Sequence, residues 1–112
     1  MIEVSPVPES KKYRLLKSYR FAWGGRIYEV PAGMEFDGAS VPRALWRVVT
    51  PFEPRVMRAA LCHDYLYATG KLSKKSADNL FLHFLLQDGV PKALAVMMHK
   101  AVHLFGGAFY AG

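Results

Sequence analysis

Three acid-base residues of this 112-residue chain could do chemistry together: the adjacent His63 and Asp64, and further on Asp78. On a helix opening at Pro54, positions 56, 60, 63 and 67 form one row and 57, 61, 64 and 68 the next. His63 therefore lines up with Val56, Ala60 and Tyr67, and Asp64 with Met57 and Leu61, while Arg55 and Arg58 hold the polar flank. Both polar groups fall on an apolar stripe. A buried carboxylate without a partner costs several kcal/mol or protonates, so Asp64 demands a cation, a metal or strong donors. The imidazole wants a partner for each ring nitrogen, and Asp78, in the row of Phe81, Leu82 and Leu85 near the start of the next helix, can supply one. The connection at 68–72 is short enough to make the two helices antiparallel neighbours. His63 would then be a general base activating water, held by Asp78. Asp64 would ligate a hard cation with Asp37 and the carbonyls around Gly38, where a turn-rich loop can aim several oxygens at one point.

Spacing alone leaves a structural alternative open. Asp78 in a first helical turn already suits the helix dipole. His63 and Asp64 could equally join Arg58 or Arg43 in a buried ion-pair network that specifies the fold. Other candidates read as bland. His99 and His103 stand four apart, as a metal pair would, but no carboxylate or third imidazole has matching spacing. Lys92 and Lys100 share that side, so a solvated face is expected. His83 lies with Asn79 and Gln87 on the wet side. Cys62 is expected to point to the polar flank, which argues against a Cys-His nucleophile pair. The aromatic tail at 105–110 is expected to pack over the core or a partner.

The elements that must position these groups follow from turn chemistry and periodicity. Residues 13–23 (YRLLKSYRFAW) read as β; Gly24 and Gly25 offer the positive φ of a two-residue hairpin, and 26–30 (RIYEV) returns. Met34, Glu35 and Phe36 form a third short strand running into the Asp37-Gly38-Ala39-Ser40 loop, and Pro42 permits a short helix over 43–49. Three longer helices follow: one from Pro54 to its stop at Gly70, one capped by Ser73 and ending at Gly89, and one opened by Pro91 and ended by Gly106-Gly107. The fold class is α+β in a single domain over 1–112, with 1–41 mainly β and loops and 42–107 mainly helical. A β-hairpin or meander is expected to pack on a three-helix bundle.

Composition bounds the function classes. At 52% hydrophobic and 21% charged, the chain can bury a modest core without staples, and one cysteine excludes an intramolecular disulfide framework or a cysteine-rich zinc site. No basic region followed by an apolar run opens the sequence, so no signal peptide is expected. The longest apolar runs (LFLHFLL, ALAVMM) fall well below the roughly 18 residues that span a bilayer. The net charge of +6 favours phosphate-bearing partners, but no helix-turn-helix, zinc-finger or RNA-recognition signature accompanies it. Nucleic acid is therefore not expected; an anionic lipid surface is as good a target for the charge, and a small excess also serves simply to aid solubility.

With these residues in view, the chain resembles a family of phage and prophage proteins known as domain of unknown function 1353. The likeness rests on FDGASVPR at 36–43 with Trp46, RAALCHDYLY at 58–67, SADNLF at 76–81 and the closing AVHLFGG. It implies a gene of tailed phages and prophages, and a product in the host cytoplasm or on the virion, among other phage proteins. More distantly, the His63-Asp64-x-x-Tyr67 helix followed by a helix bearing Asp78 is similar to the small phospholipase A₂ enzymes of bacteria and fungi. That resemblance implies a phospholipase-like helix pair, His63 activating water, Asp78 orienting it, and Tyr67 as a supporting phenol. It also implies a calcium ion on Asp64 near Asp37 and Gly38. The function it implies is metal-assisted ester hydrolysis; the alternative is a noncatalytic virion or host-interaction module in which the same dyad braces the helices.

Overall fold

The computed structural model describes residues 2–8, 12–36, 53–105, 107 and 110, and places N-terminal antiparallel strands before three helices, an α+β fold. The expected helix at 43–49 lies outside the described residues, as does the loop at 37–40. The chain divides into two compact units, Met1–Asp37 and Gly38–Gly112.

The first unit holds two small sheets. Strands β1 (Val4–Pro6), β2 (Tyr13–Leu15) and β5 (Glu35–Phe36) form one, with β2 in the middle, and β3 (Tyr19–Trp23) pairs with β4 (Arg26–Val30) in the other. The hairpin turns where expected: Gly24 and Gly25 have φ of 59° and 77°, which brings Trp23 opposite Arg26. A primed turn of this kind matches the twist of the strands it joins. Residues alternate across the hairpin. Phe21 and Tyr28 are buried and stack at 5.2 Å, while Arg20 and Glu29 pair at 2.9 Å on the other face.

The expected single strand over 13–23 is in fact two, because its halves pair with different partners. The Leu15 amide donates to the Met34 carbonyl, the next amide, Leu16, donates back to Glu3, and a bend at 16–17 separates β2 from β3. Strand β1 went unforeseen; its Pro6 is tolerated because, among the described residues, β1 is an edge strand paired only with β2.

In the second unit, helix α1 (Pro54–Thr69) opens on a first-turn proline and closes at Gly70, whose φ of 64° lets its amide return to the Leu66 carbonyl. Helix α2 (Lys74–Gln87) is capped by the Ser73 hydroxyl, which accepts from the Ser76 amide, and α3 (Lys92–Phe105) follows Pro91. Helix α2 packs against both others. Val56, Ala60, Leu61 and Leu66 from α1, Leu80, Phe81 and Leu85 from α2, and Ala95, Met98 and Val102 from α3 are buried. Each large apolar side chain among them contributes on the order of 1.5–3 kcal/mol.

Helix α1 is buried over a wider arc than one stripe. Ala59, Cys62 and Leu66 are as inaccessible as the row of His63, so Cys62 lies in the core and not on the polar flank. Arg58 also departs from that flank. It clasps Asp88 through two bonds of 2.9 Å, reaches Gln87 at 2.7 Å, and lays its guanidinium 4.0 Å over the Phe84 ring. A cation there suits the C-terminal end of α2.

Candidate functional site

The 3.6-residue repeat of α1 and the short loop into α2 bring His63, Tyr67 and Asp78 together inside the helical unit. His63 and Asp78 are each 0% exposed, the buried polar pair of the described residues. His63 Nε2 lies 2.7 Å from Asp78 Oδ1, and the Tyr67 hydroxyl donates to the same oxygen at 2.5 Å. The His63 ring packs between Tyr67, with centroids 4.0 Å apart, and Phe81 at 4.9 Å.

The other carboxylate oxygen, Oδ2, is held from α2 and α3. Lys74 Nζ donates to it at 2.8 Å and His103 Nδ1 approaches at 3.3 Å. A carboxylate offers about four acceptor positions, and Asp78 has a donor for each. Lys74 in turn donates to the His103 carbonyl at 2.8 Å and the Val102 carbonyl at 3.4 Å. Tyr110 closes one side: its ring meets Tyr67 edge-on at 5.3 Å and its hydroxyl donates to the Leu72 carbonyl at 2.7 Å. For this residue the expectation that the aromatic tail packs on the core holds.

Burial and bonding set the charges. Burial alone would push the Asp78 carboxyl up, but the bonds from His63, Lys74 and Tyr67 outweigh it and hold the group well below the usual carboxylate range. Asp78 is thus an ionised acceptor. His63 must donate through Nε2–H, and the lone pair of the neutral ring is on Nδ1. Burial pulls the imidazole below its ordinary value against the opposing bond and charge of Asp78, so the ring is neutral at pH 7. Burial, then the Asp78 bond, pushes the Tyr67 phenol far up, which keeps it a donor.

The remaining expected residues fare differently. Asp64 is half-buried, at the margin of the stripe. Asp37 and Gly38, expected beside it on a cation, and Arg43 lie outside the described residues, among which no group of three His, Cys, Asp or Glu side chains could hold a metal ion. His83 is exposed as expected.

On the last helix Lys92, Lys100 and His103 are exposed, as expected of a solvated face, but the two histidines also turn inward. His103 turns to Asp78, and Nε2 of His99 is buried without a hydrogen-bond partner among the described residues. Burial also lowers the basicity of His99. The carboxylate missed at matching sequence spacing comes from α2. Lys74 and His103 were not foreseen as parts of the site; the i,i+4 spacing of Lys74 and Asp78 was a visible signal, whereas nothing local tied His103 to either.

A model of the family described as protein of unknown function (DUF1353) matches residues 13–102, a span that takes in His63, Tyr67, Lys74 and Asp78. The chain is similar to two uncharacterized proteins of Sinorhizobium fredii. It is 32% identical to y4jT over 83 residues, 73% of this chain and 25% of that protein. To y4iH it is 29% identical over 104 residues, 89% of this chain and 43% of the relative. The chain thus spans a quarter of one relative and less than half of the other. No solved structure matches it significantly.

Proposed function

The chain belongs to the DUF1353 family, and we propose that it is a hydrolase in which His63 is the general base that activates water on an ester. One observation carries this reading: Asp78 Oδ1, 2.7 Å from Nε2 and steadied by Tyr67, fixes the imidazole in one orientation and one tautomer. A general base needs that fixed orientation, and positioned bases contribute typically 10²–10⁴-fold. Burial keeps the His63 ring unprotonated at neutral pH, the form a base must have. The net charge of +6 supports an anionic lipid surface as the place where substrate is met. The likeness to small phospholipases rests on the residues of α1 and α2 and supports an ester of that class.

A second reading is favoured by the complete burial of His63 and by the four donors on Asp78: a noncatalytic virion or host-interaction module in which the network braces three helices. Fatty-acid release from phosphatidylglycerol vesicles separates the two. It is measured with calcium and with a chelator, because Asp64 adjoins the base. Turnover that His63→Ala abolishes while the helices stay folded supports the hydrolase, and the chelator arm decides whether calcium takes part. No turnover on lipids, esters or amides, with a lowered Tm in His63→Ala, supports the brace. Phage or prophage origin, and with it a place in the host cytoplasm or virion, belongs to the same proposal; the genes flanking the coding sequence test it.

A further inference from the structure

Lys74 breaks a local rule. It stands at the first position of α2, where the positive end of the helix dipole disfavours a cation, and no acid shares that first turn, because Asp78 is the fifth residue of α2 and lies just beyond the turn where it was expected. What offsets this is the end of another helix. The carbonyls of Val102 and His103 belong to the last turn of α3, whose carbonyls have no partner within their own helix, and Lys74 reaches both. The charge is misplaced for its own helix and well placed for α3. Its third proton goes to Asp78 Oδ2 at 2.8 Å. An ammonium has three protons to donate, and three protein oxygens lie within reach, two at 2.8 Å and the Val102 carbonyl at 3.4 Å, so Lys74 is placed to hold and not to touch substrate.

We infer that Lys74 is a positioning residue that locks the plane of Asp78 and makes the orientation of His63 depend on the docked end of α3. Oδ1 faces His63 and Tyr67 while Oδ2 is pinned on the opposite side, closely by Lys74 at 2.8 Å and more weakly by His103 at 3.3 Å; with only the weaker contact left, the carboxylate is free to rotate and the imidazole loses its fixed anchor. The consequence for rate rests on the base role proposed for His63, but the coupling itself does not.

Histidine-ring ¹⁵N NMR reads the coupling without turnover. In the wild-type chain, His63 shows one Nε2-protonated tautomer with a slowly exchanging ring proton. In Lys74→Met that proton exchanges fast and the two tautomers mix, while Lys74→Arg, which keeps the charge, restores the single pattern in at least part of the population. If turnover is found, kcat of Lys74→Met falls by about 100-fold at unchanged KM, the loss expected of a small misplacement of a catalytic group.

An unaltered His63 spectrum in Lys74→Met, even with a lowered Tm, overturns the inference and leaves Lys74 a helix cap. Should Lys74→Met not fold, the spectrum of Lys74→Gln, which keeps a donor for the carbonyls but no charge, decides in the same way. Loss of turnover in His63→Ala with an unaltered Lys74→Met spectrum refutes only this coupling, and an altered spectrum with no turnover refutes only the hydrolase.

Discussion

Replacing Asp78 by Asn removes one charge and turns one acceptor oxygen into a donor, at a carboxylate that receives His63, Tyr67, Lys74 and His103. The amide has one oxygen. If it faces His63 and Tyr67, its NH₂ group confronts the Lys74 ammonium, and a charge-assisted bond worth about 1.5–3 kcal/mol is lost. The two surviving bonds become neutral and weaken further. Breaking a fully buried ion pair costs about 3–5 kcal/mol, but the Lys74 side chain is 25% exposed and can turn toward water, which discounts the figure. The expected loss is about 2–4 kcal/mol, a large share of the 5–15 kcal/mol that holds typical domains folded.

Urea unfolding at pH 7, followed by circular dichroism of the helices, measures it. A double-mutant cycle with Lys74→Met assigns it: once Asp78 is neutral, removing the ammonium should be less harmful than in the wild-type background, with a coupling of about 1–3 kcal/mol. A loss below about 1 kcal/mol at pH 7, or two single losses that simply add, would refute the buried-pair reasoning.

Acid should destabilise the helical unit in two stages. His63 is held below its ordinary value, so its contribution is complete above about pH 6.5 and declines as the pH falls, because the unfolded chain takes the proton first. Asp78 is also held below its ordinary value, so its contribution is complete above about pH 4 and declines beneath that. Urea midpoints between pH 8 and 3 check this, and a midpoint that rises on acidification contradicts it. Cys62 is buried and free, and burial, against the smaller opposing charge of Arg58, pushes its thiol far above the ordinary range. Its labelling by a disulfide reagent should follow the rate of unfolding and become immediate in denaturant; rapid labelling of the folded chain would show α1 to be more open than described.

Local rules were enough for the hairpin and the three helices. Paired glycines specify the β3–β4 hairpin, Pro54 and Gly70 bound α1, Ser73 caps α2 and Pro91 precedes α3, each through φ preferences or a capping bond that involves only near neighbours. Periodicity also put His63 and Tyr67 in one row, and a short connection made Asp78 their neighbour. Where local reading failed, the partner was remote in sequence. The division of 13–23 into β2 and β3 follows from pairing with β1 and β5 on one side and β4 on the other. Cys62 and Arg58 were assigned to a polar flank because one helix read alone has a wet side; the packing of α2 against α1 buries the thiol and gives the guanidinium Asp88 to hold.

The sequence by itself determined which residues form helices and which turns, and which row of α1 carries an imidazole and a phenol. Tertiary structure alone decided that His103 and the last carbonyls of α3 meet Asp78 and Lys74 at the start of α2. The physical reason is range. Helical periodicity and capping act over three or four residues, whereas the charge balance of a buried carboxylate is settled by whichever helix end is packed beside it.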